Sequence, residues 1–206
     1  MSKIPNRIPV FPLAGALLLP SGNLPLNIFE PRYIAMIDYA LKNDKLIGMI
    51  QTKGSVSEEL YTIGCVGKIT SFSETDDNRY LINLRGLLRF KLLNETNNLQ
   101  GFRIFNVKYN SLDRNFNIFD TKQFNKKKFI KKVKSFFENR GLLADWNSLE
   151  KFEEKSLIIM ISMLCPFNVI EKQMLLESEN VNALADSVIA LFDFSLNRNI
   201  NHETIN

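Results

Sequence analysis

Histidine and cysteine are nearly missing from this chain, which has one His, His202, and two Cys, Cys65 and Cys165, among 206 residues. The two cysteines are far apart and form no CxxC pair, so neither a disulfide framework nor a zinc site is indicated, and two reduced, buried thiols are expected. A serine or cysteine nucleophile usually recruits a histidine base, yet His202 sits in a polar tail that cannot hold it in place. No G-x-S-x-G elbow occurs, and nothing marks one Ser and one Lys as a dyad. Glu153 and Glu154 are adjacent and point in different directions on a helix, which leaves a paired acid and base unsupported. A hydrolase would need a site assembled from distant residues, visible only as a deep polar pocket with convergent titratable groups.

Phosphate loops are also lacking. Gly64-Cys65-Val66-Gly67-Lys68-Ile69-Thr70 has two residues between its glycines where Walker A needs four, and Ile69 follows the lysine. These glycines suit a bend or close strand packing, and no cofactor is expected. No apolar run reaches the roughly 20 residues of a membrane span. Lys3 and Arg7 precede Ile8 to Leu19 in the manner of a secretory signal, but Pro9 and Pro12 interrupt the run and no small-x-small cleavage site follows. A cytoplasmic protein without a membrane span is the expectation.

What is present is ordinary globular material, 45% hydrophobic and 23% charged, with a net charge of +4 and a pI of about 9.0. The positive excess is local. Lys122, Lys126, Lys127, Lys128, Lys131, Lys132 and Lys134 follow one another without an acidic residue, opposite an apolar stripe of Phe129, Ile130, Val133 and Phe137. Such a face either grips RNA phosphates or an anionic surface, or is the solvated side of a packed helix, and the latter is favoured.

Periodicity divides the chain. Gly64 to Phe72, Arg79 to Arg85, Leu87 to Leu93 and Phe102 to Tyr109 are β-branched or aromatic-rich runs separated by turn residues, with Glu74 to Asn78 as a hairpin turn. One helix interrupts this half, opened by Glu30 and Pro31 and presenting Ile34, Ile37 and Leu41. Beyond residue 120 the pattern is helical. Asp120 or Thr121 caps a helix that ends before Gly141, Leu157 to Leu164 is apolar nearly all round, Asn168 with Glu171 forms a capping box, and Val181 to Leu196 is amphipathic.

Several separated segments carry a resemblance. Ile8 to Leu19 with Leu24-Pro25-Leu26 and Ile28-Phe29-Glu30-Pro31-Arg32-Tyr33, then Ile63-Gly64, Val66, Arg79-Tyr80 and Gly86 with Arg89-Phe90, then Pro166-Phe167 and Glu171-Lys172-Gln173 with Leu175-Leu176-Glu177, resemble the N-terminal domain of the Lon protease family. The version resembled is the free-standing bacterial one. The resemblance implies an α+β fold, a PUA-like β pseudo-barrel with one covering helix over 1–115, a helical bundle over 116–200 and a frayed tail over 201–206. It also implies a non-catalytic module, without Lon's ATPase and Ser/Lys peptidase domains, that binds unfolded or partner polypeptides in protein quality control. An ATP-dependent protease or a chaperone is the partner it suggests, and RNA binding through the PUA-like lobe and the basic helix is the alternative. The segment between Phe102 and Phe119, an Asn-rich connection, departs from the pattern.

Candidate binding residues follow from the shared segments. Glu30 and Arg32 are too close in sequence to face each other on a helix, so each is expected to serve a different partner: Glu30 the helix N–H groups, Arg32 a carboxylate or carbonyls between the lobes, or a ligand. Phe29 and Tyr33 are either core or anchors for an apolar peptide, with core favoured. Arg85 and Arg89, assigned to adjacent strands, would form a positive rim beside an apolar cleft. Lys126, Lys127, Lys128, Lys131 and Lys132 make up the basic patch.

Overall fold

The computed structural model describes residues 4–54, 59–96, 101–109, 116 and 118–203, with 197–203 described by backbone alone. Alternation of inward and outward residues builds six strands: β1 (Arg7–Pro12), β2 (Asn23–Ile28), β3 (Leu46–Ile50), β4 (Ile63–Glu74), β5 (Tyr80–Thr96) and β6 (Arg103–Tyr109). Their order is β2-β5-β4-β3-β1-β6, and β6 also pairs with β5. The last pairing closes β5, β4, β3, β1 and β6 into a small barrel and leaves β2 outside with one edge that no other described strand pairs. β1 and β3 run parallel and the other pairs antiparallel.

Period two sorts the core into two layers. Ile8, Val10, Leu46, Ile50, Val66, Phe90, Phe105 and Val107 fill the barrel, while their neighbours Phe11, Ile47, Met49, Cys65 and Ile104 face outward into a larger core shared with the helices. Phe90 sets the barrel's interior spacing. A Cβ at Gly48 would lie 2.9 Å from Phe90 Cε1 and one at Gly64 2.5 Å from Phe90 Cζ, so the ring occupies the space that two missing side chains leave.

Among the described residues six α-helices complete the α+β fold: α1 (Pro31–Lys42), α2 (Lys126–Asn139), α3 (Trp146–Lys151), α4 (Glu154–Leu164), α5 (Val169–Leu176) and α6 (Val181–Glu203). α1 covers the barrel with Tyr33, Met36, Ile37 and Ala40, a face one position round from the expected one, leaving Ile34 and Leu41 half-buried. The bundle packs around Phe129, Val133, Phe136, Ile158, Leu184, Val188 and Phe192, all buried. As expected, Asn168 and Glu171 form a capping box and Pro166 follows the end of α4. α2 is capped by Asn125; Asp120 instead caps a 3-10 turn at Thr121–Gln123 just before it.

Other expectations need correction. Arg79 to Arg85 and Leu87 to Leu93 are not two strands but one, β5, running without a turn through Gly86. β5 pairs Gly86 with Gly67 and Leu88 with Val66, so Leu87 is an extra residue, a bulge that reverses the parity of the residues after it as far as Leu92, where a second register shift follows. Arg85 therefore faces solvent, whereas Arg89 turns inward and is 2% exposed. The two arginines share a strand and form no common rim. The expected Asn-rich connection from Phe102 to Phe119 opens as β6, while its residues 110–115 and 117 lie outside the described residues, as do Lys3 and residues 204–206. α6 runs to Glu203, so the segment expected to fray from 201 begins as helix.

Polar side chains lock α5 onto the barrel. Gln51 donates to Val169 O (3.2 Å) and Gln173 Oε1 (3.1 Å), and its own Oε1 accepts from the Gly15 N–H (3.2 Å). Lys172 donates to Gly15 O at 2.6 Å, Gln173 to Ile63 O at 3.2 Å, and Arg89 to Leu176 O and Ser178 O at 3.0 and 2.6 Å. Burial pulls the Lys172 ammonium below its ordinary pKa, and the nearby Cys165, whose own thiol burial pushes up to about 12, acts weakly in the opposite direction.

Candidate functional site

The free edge of β2 and the start of α1 frame the main cleft. Antiparallel pairing places Gly22 opposite Gly86, whose N–H donates to Gly22 O, so alternate residues on β2 turn their backbone groups toward β5 and the intervening ones, Asn23, Pro25 and Asn27, turn theirs outward. That edge offers two N–H groups and three carbonyls, because Pro25 has no N–H. The chain leaves β2 at Ile28, passes through exposed Phe29, and enters α1 at Pro31, whose fixed φ suits the first helical position.

Glu30 occupies the N-cap position in an extended conformation, φ −73° and ψ 130°, and its side chain accepts no capping bond. Because Glu30 stands outside the helix, its carboxylate reaches back to Arg32: Arg32 Nε lies 3.0 Å and its terminal nitrogen 2.9 Å from Glu30 Oε2. The expectation that the two residues serve different partners is thus corrected: Glu30 caps no N–H group, and the carboxylate that Arg32 holds is Glu30's own. The Arg32 guanidinium also lies 4.5 Å from the Tyr33 ring centroid. Tyr33 is buried as expected, 4.2 Å from the Phe11 ring, and burial raises its phenol pKa. Phe29 is not core: it is 63% exposed, with the Arg79 guanidinium 6.0 Å from its ring.

Two hollows meet at Pro12, Arg32 and Tyr33. One, about 250 Å³, runs along Leu26 to Phe29 and over Phe11. The other, about 450 Å³, extends past Tyr33 to Phe102, Leu60 and Arg103, whose guanidinium holds Glu95 through two bonds of 2.9 and 2.7 Å. The smaller hollow has an aromatic and aliphatic floor of Phe11, Leu26, Ile28 and Tyr33. The larger also carries polar lining from Thr52 and the Arg103–Glu95 pair, and the Arg–Glu pairs at the rim cancel in charge. Nothing in the cleft aligns a nucleophile with a base, and among the described residues no group of His, Cys, Asp or Glu is placed to hold a metal. Such a surface suits apolar side chains and an extended backbone.

Of the predicted residues, Phe29, Glu30, Arg32 and Tyr33 come together here. Arg85 pairs in register with Asn23, five positions and about 17 Å along β5 from Tyr80, while Arg89 lies buried against α5. The lysines belong to the bundle. Lys126 is bound to the carbonyls of Glu150 and Phe152, and Lys132 is paired with Asp193. The free β2 edge, which completes the cleft, escaped sequence reasoning; the one available signal was Pro25 in an apolar run, a mark of edge strands.

Residues 7–193 match the family described as the ATP-dependent protease La (LON) substrate-binding domain. The chain belongs to this family. Lon protease of Buchnera aphidicola is 27% identical over 90% of the chain, and that of Anaeromyxobacter dehalogenans is 30% identical over 44% of it. The match spans only 25% and 11% of those two relatives. A Lon N-terminal domain protein from Xanthomonas campestris superposes with a TM-score of 0.62 at 18% identity, covering 89% of this chain and 97% of that one. The N-terminal domain of Mycobacterium avium complex Lon protease gives 0.67 at 14% identity, covering 91% and 98%. These likenesses show the fold.

The segments that carry the Lon resemblance now have physical roles. Ile28 to Tyr33 forms the cleft wall. Gly86 is needed because a Cβ there would lie 2.0 Å from Leu19 O, Arg89 grips the end of α5, and Phe90 fills the barrel. Glu171, Lys172 and Gln173 cap α5 and fasten it to the β lobe. Among the described residues no helix is long and apolar enough to cross a membrane.

Proposed function

We propose that this Lon substrate-binding domain captures extended, apolar segments of other polypeptides in the cleft between the β2 edge and α1. One observation carries the reading: an unpaired strand edge borders a hollow with an apolar floor, and a largely exposed phenylalanine, Phe29, stands at its mouth. A bound strand would pair with the outward N–H and C=O groups of Asn23 and Asn27 and place alternate side chains over Phe11 and Tyr33. The Arg–Glu pairs would sit at the rim and affect approach more than affinity. Cytoplasmic quality control, with delivery to an ATP-dependent protease or chaperone, is the setting in which such capture is useful.

The test is binding of unfolded model proteins and fluorescent apolar peptides to the purified chain. Phe29→Ala is expected to weaken peptide binding by about tenfold, the scale of a lost aromatic anchor. Asn27→Pro should weaken it similarly while leaving the fold intact, because the N–H it removes points away from β5. If the wild-type chain retains none of these ligands, or if both variants bind as well as wild type, the cleft reading fails.

A further inference from the structure

The lysine run of α2 is sorted by the bundle into structural and free members. Lys126 closes the end of α3 and Lys132 pairs with Asp193 of α6. Lys127, Lys128 and Lys131 are exposed and make no ion pair among the described residues. At 3.6 residues per turn, Lys127, Lys131 and Lys134 follow one line about 10 Å long. The Lys134 ammonium lies 5.9 Å from the Trp146 ring, and Trp146 meets Phe137 edge-on at 5.7 Å.

Phe137 is also the wall of an apolar groove of about 480 Å³ between the start of α3 and the end of α4. Leu149 and Met160 line it, with Leu143 and Leu164 at its rim, 97% and 68% exposed. Packing explains Leu142, which lies against the core, but gives no reason for Leu143 to stand in water. Through Trp146 and Phe137, then, the lysine row and the apolar groove form two sides of one surface on the helical lobe.

The chemistry selects among occupants. A bilayer is met by a continuous face of protruding apolar side chains, whereas here only Leu143 and Leu164 protrude and the groove between them takes side chains in. Single-stranded nucleic acid gains affinity by stacking on exposed aromatics, but Trp146 has Lys134 over its ring and Phe137 against it. Of the acids nearby, Asp145 and Glu153 are held as the caps of α3 and α4, which leaves Glu138 on α2 and Glu150 on α3 as exposed carboxylates beside seven lysines of the run. We propose that this surface docks an acidic amphipathic segment of a partner protein, with apolar side chains in the groove and carboxylates along Lys127, Lys131 and Lys134. The site is separate from the cleft at β2 and can stand or fall without it.

The experiment measures anisotropy of a labelled, helix-forming peptide of about 14 residues, or about 20 Å, with leucine on one face and glutamate on the other. It is compared with the same peptide carrying glutamine for glutamate, with oligouridylate, and with phosphatidylserine vesicles. The acidic peptide is expected to bind about tenfold more tightly than the glutamine version, and more weakly as salt is raised. Leu143→Ser, at a position too exposed to affect folding, should cost about fivefold, and Lys127→Glu with Lys131→Glu should reverse the preference toward a lysine-bearing peptide. Phe29→Ala should change nothing. Equal binding of the acidic and glutamine peptides, no effect of Leu143→Ser, or tighter binding of oligouridylate or vesicles overturns the proposal and leaves the β2 cleft untouched. Loss of acidic-peptide binding in Phe29→Ala also overturns it, by merging the two sites.

Discussion

Arg89 concentrates three interactions at one residue. Its guanidinium donates to two carbonyls at the end of α5, where the helix dipole is negative, and lies 4.6 Å from the Phe116 ring. Removing it strands Leu176 O and Ser178 O in a buried place, so Arg89→Ala should destabilise the chain by roughly 2–4 kcal/mol in urea unfolding. Arg89→Lys should recover only part of this, because an ammonium can donate to the carbonyls but lacks the flat guanidinium face that covers the Phe116 ring. Four positions earlier on the same strand, Arg85→Ala should fall within about 0.5 kcal/mol of wild type, as surface changes do. A comparable loss at both positions would show that burial does not separate the two arginines.

At the scale of elements, the α5 cap and the stop of α4 were legible, whereas the α1 stripe and the α2 cap were each displaced by a few residues. The legible pair is local: Asn168 and Glu171 lie three apart wherever the helix goes, and Pro166 cannot continue α4. Asn168→Ala should therefore cost about 1 kcal/mol, read as a lowered urea midpoint with an unchanged slope, since the cap satisfies an N–H of α5 that has no other partner. What sequence could not reveal was set by distant chain. Gly86 reads as a turn residue, and only its close approach to Leu19 O explains a glycine inside a continuous strand. The inward turn of Arg89 depends on the Leu87 bulge, which is a property of the pairing with β4 rather than of β5 alone. Phe29 looked like core by type, but it follows the last β2 residue and precedes the N-cap of α1, where the chain turns it outward. The cleft residues on one short segment were found; the free edge beside them requires knowing that, among the described residues, β2 pairs with β5 alone.

The whole molecule joins two halves that differ in periodicity but not in core. One hydrophobic cluster runs from Phe11 and Met49 on the barrel through Tyr33 and Met36 of α1 to Leu157, Leu184 and Phe192 of the bundle. Across the same junction Gln51, Lys172, Gln173 and Arg89 exchange hydrogen bonds that would be broken if the halves parted. Separation therefore exposes apolar surface and breaks these bonds together, a combination that favours one cooperative transition over two. The single tryptophan, Trp146, lies in the bundle and reports on that half, while far-UV circular dichroism near 217 nm weights the strands. The two probes should trace superimposable urea curves in the wild type. Gln173→Leu, which removes the bonds to Gln51 and Ile63, should lower both midpoints by the same amount if the junction couples the halves. A tryptophan midpoint separated from the dichroism midpoint, in either protein, would mean that the halves unfold independently and that the shared core does not bind them into one unit.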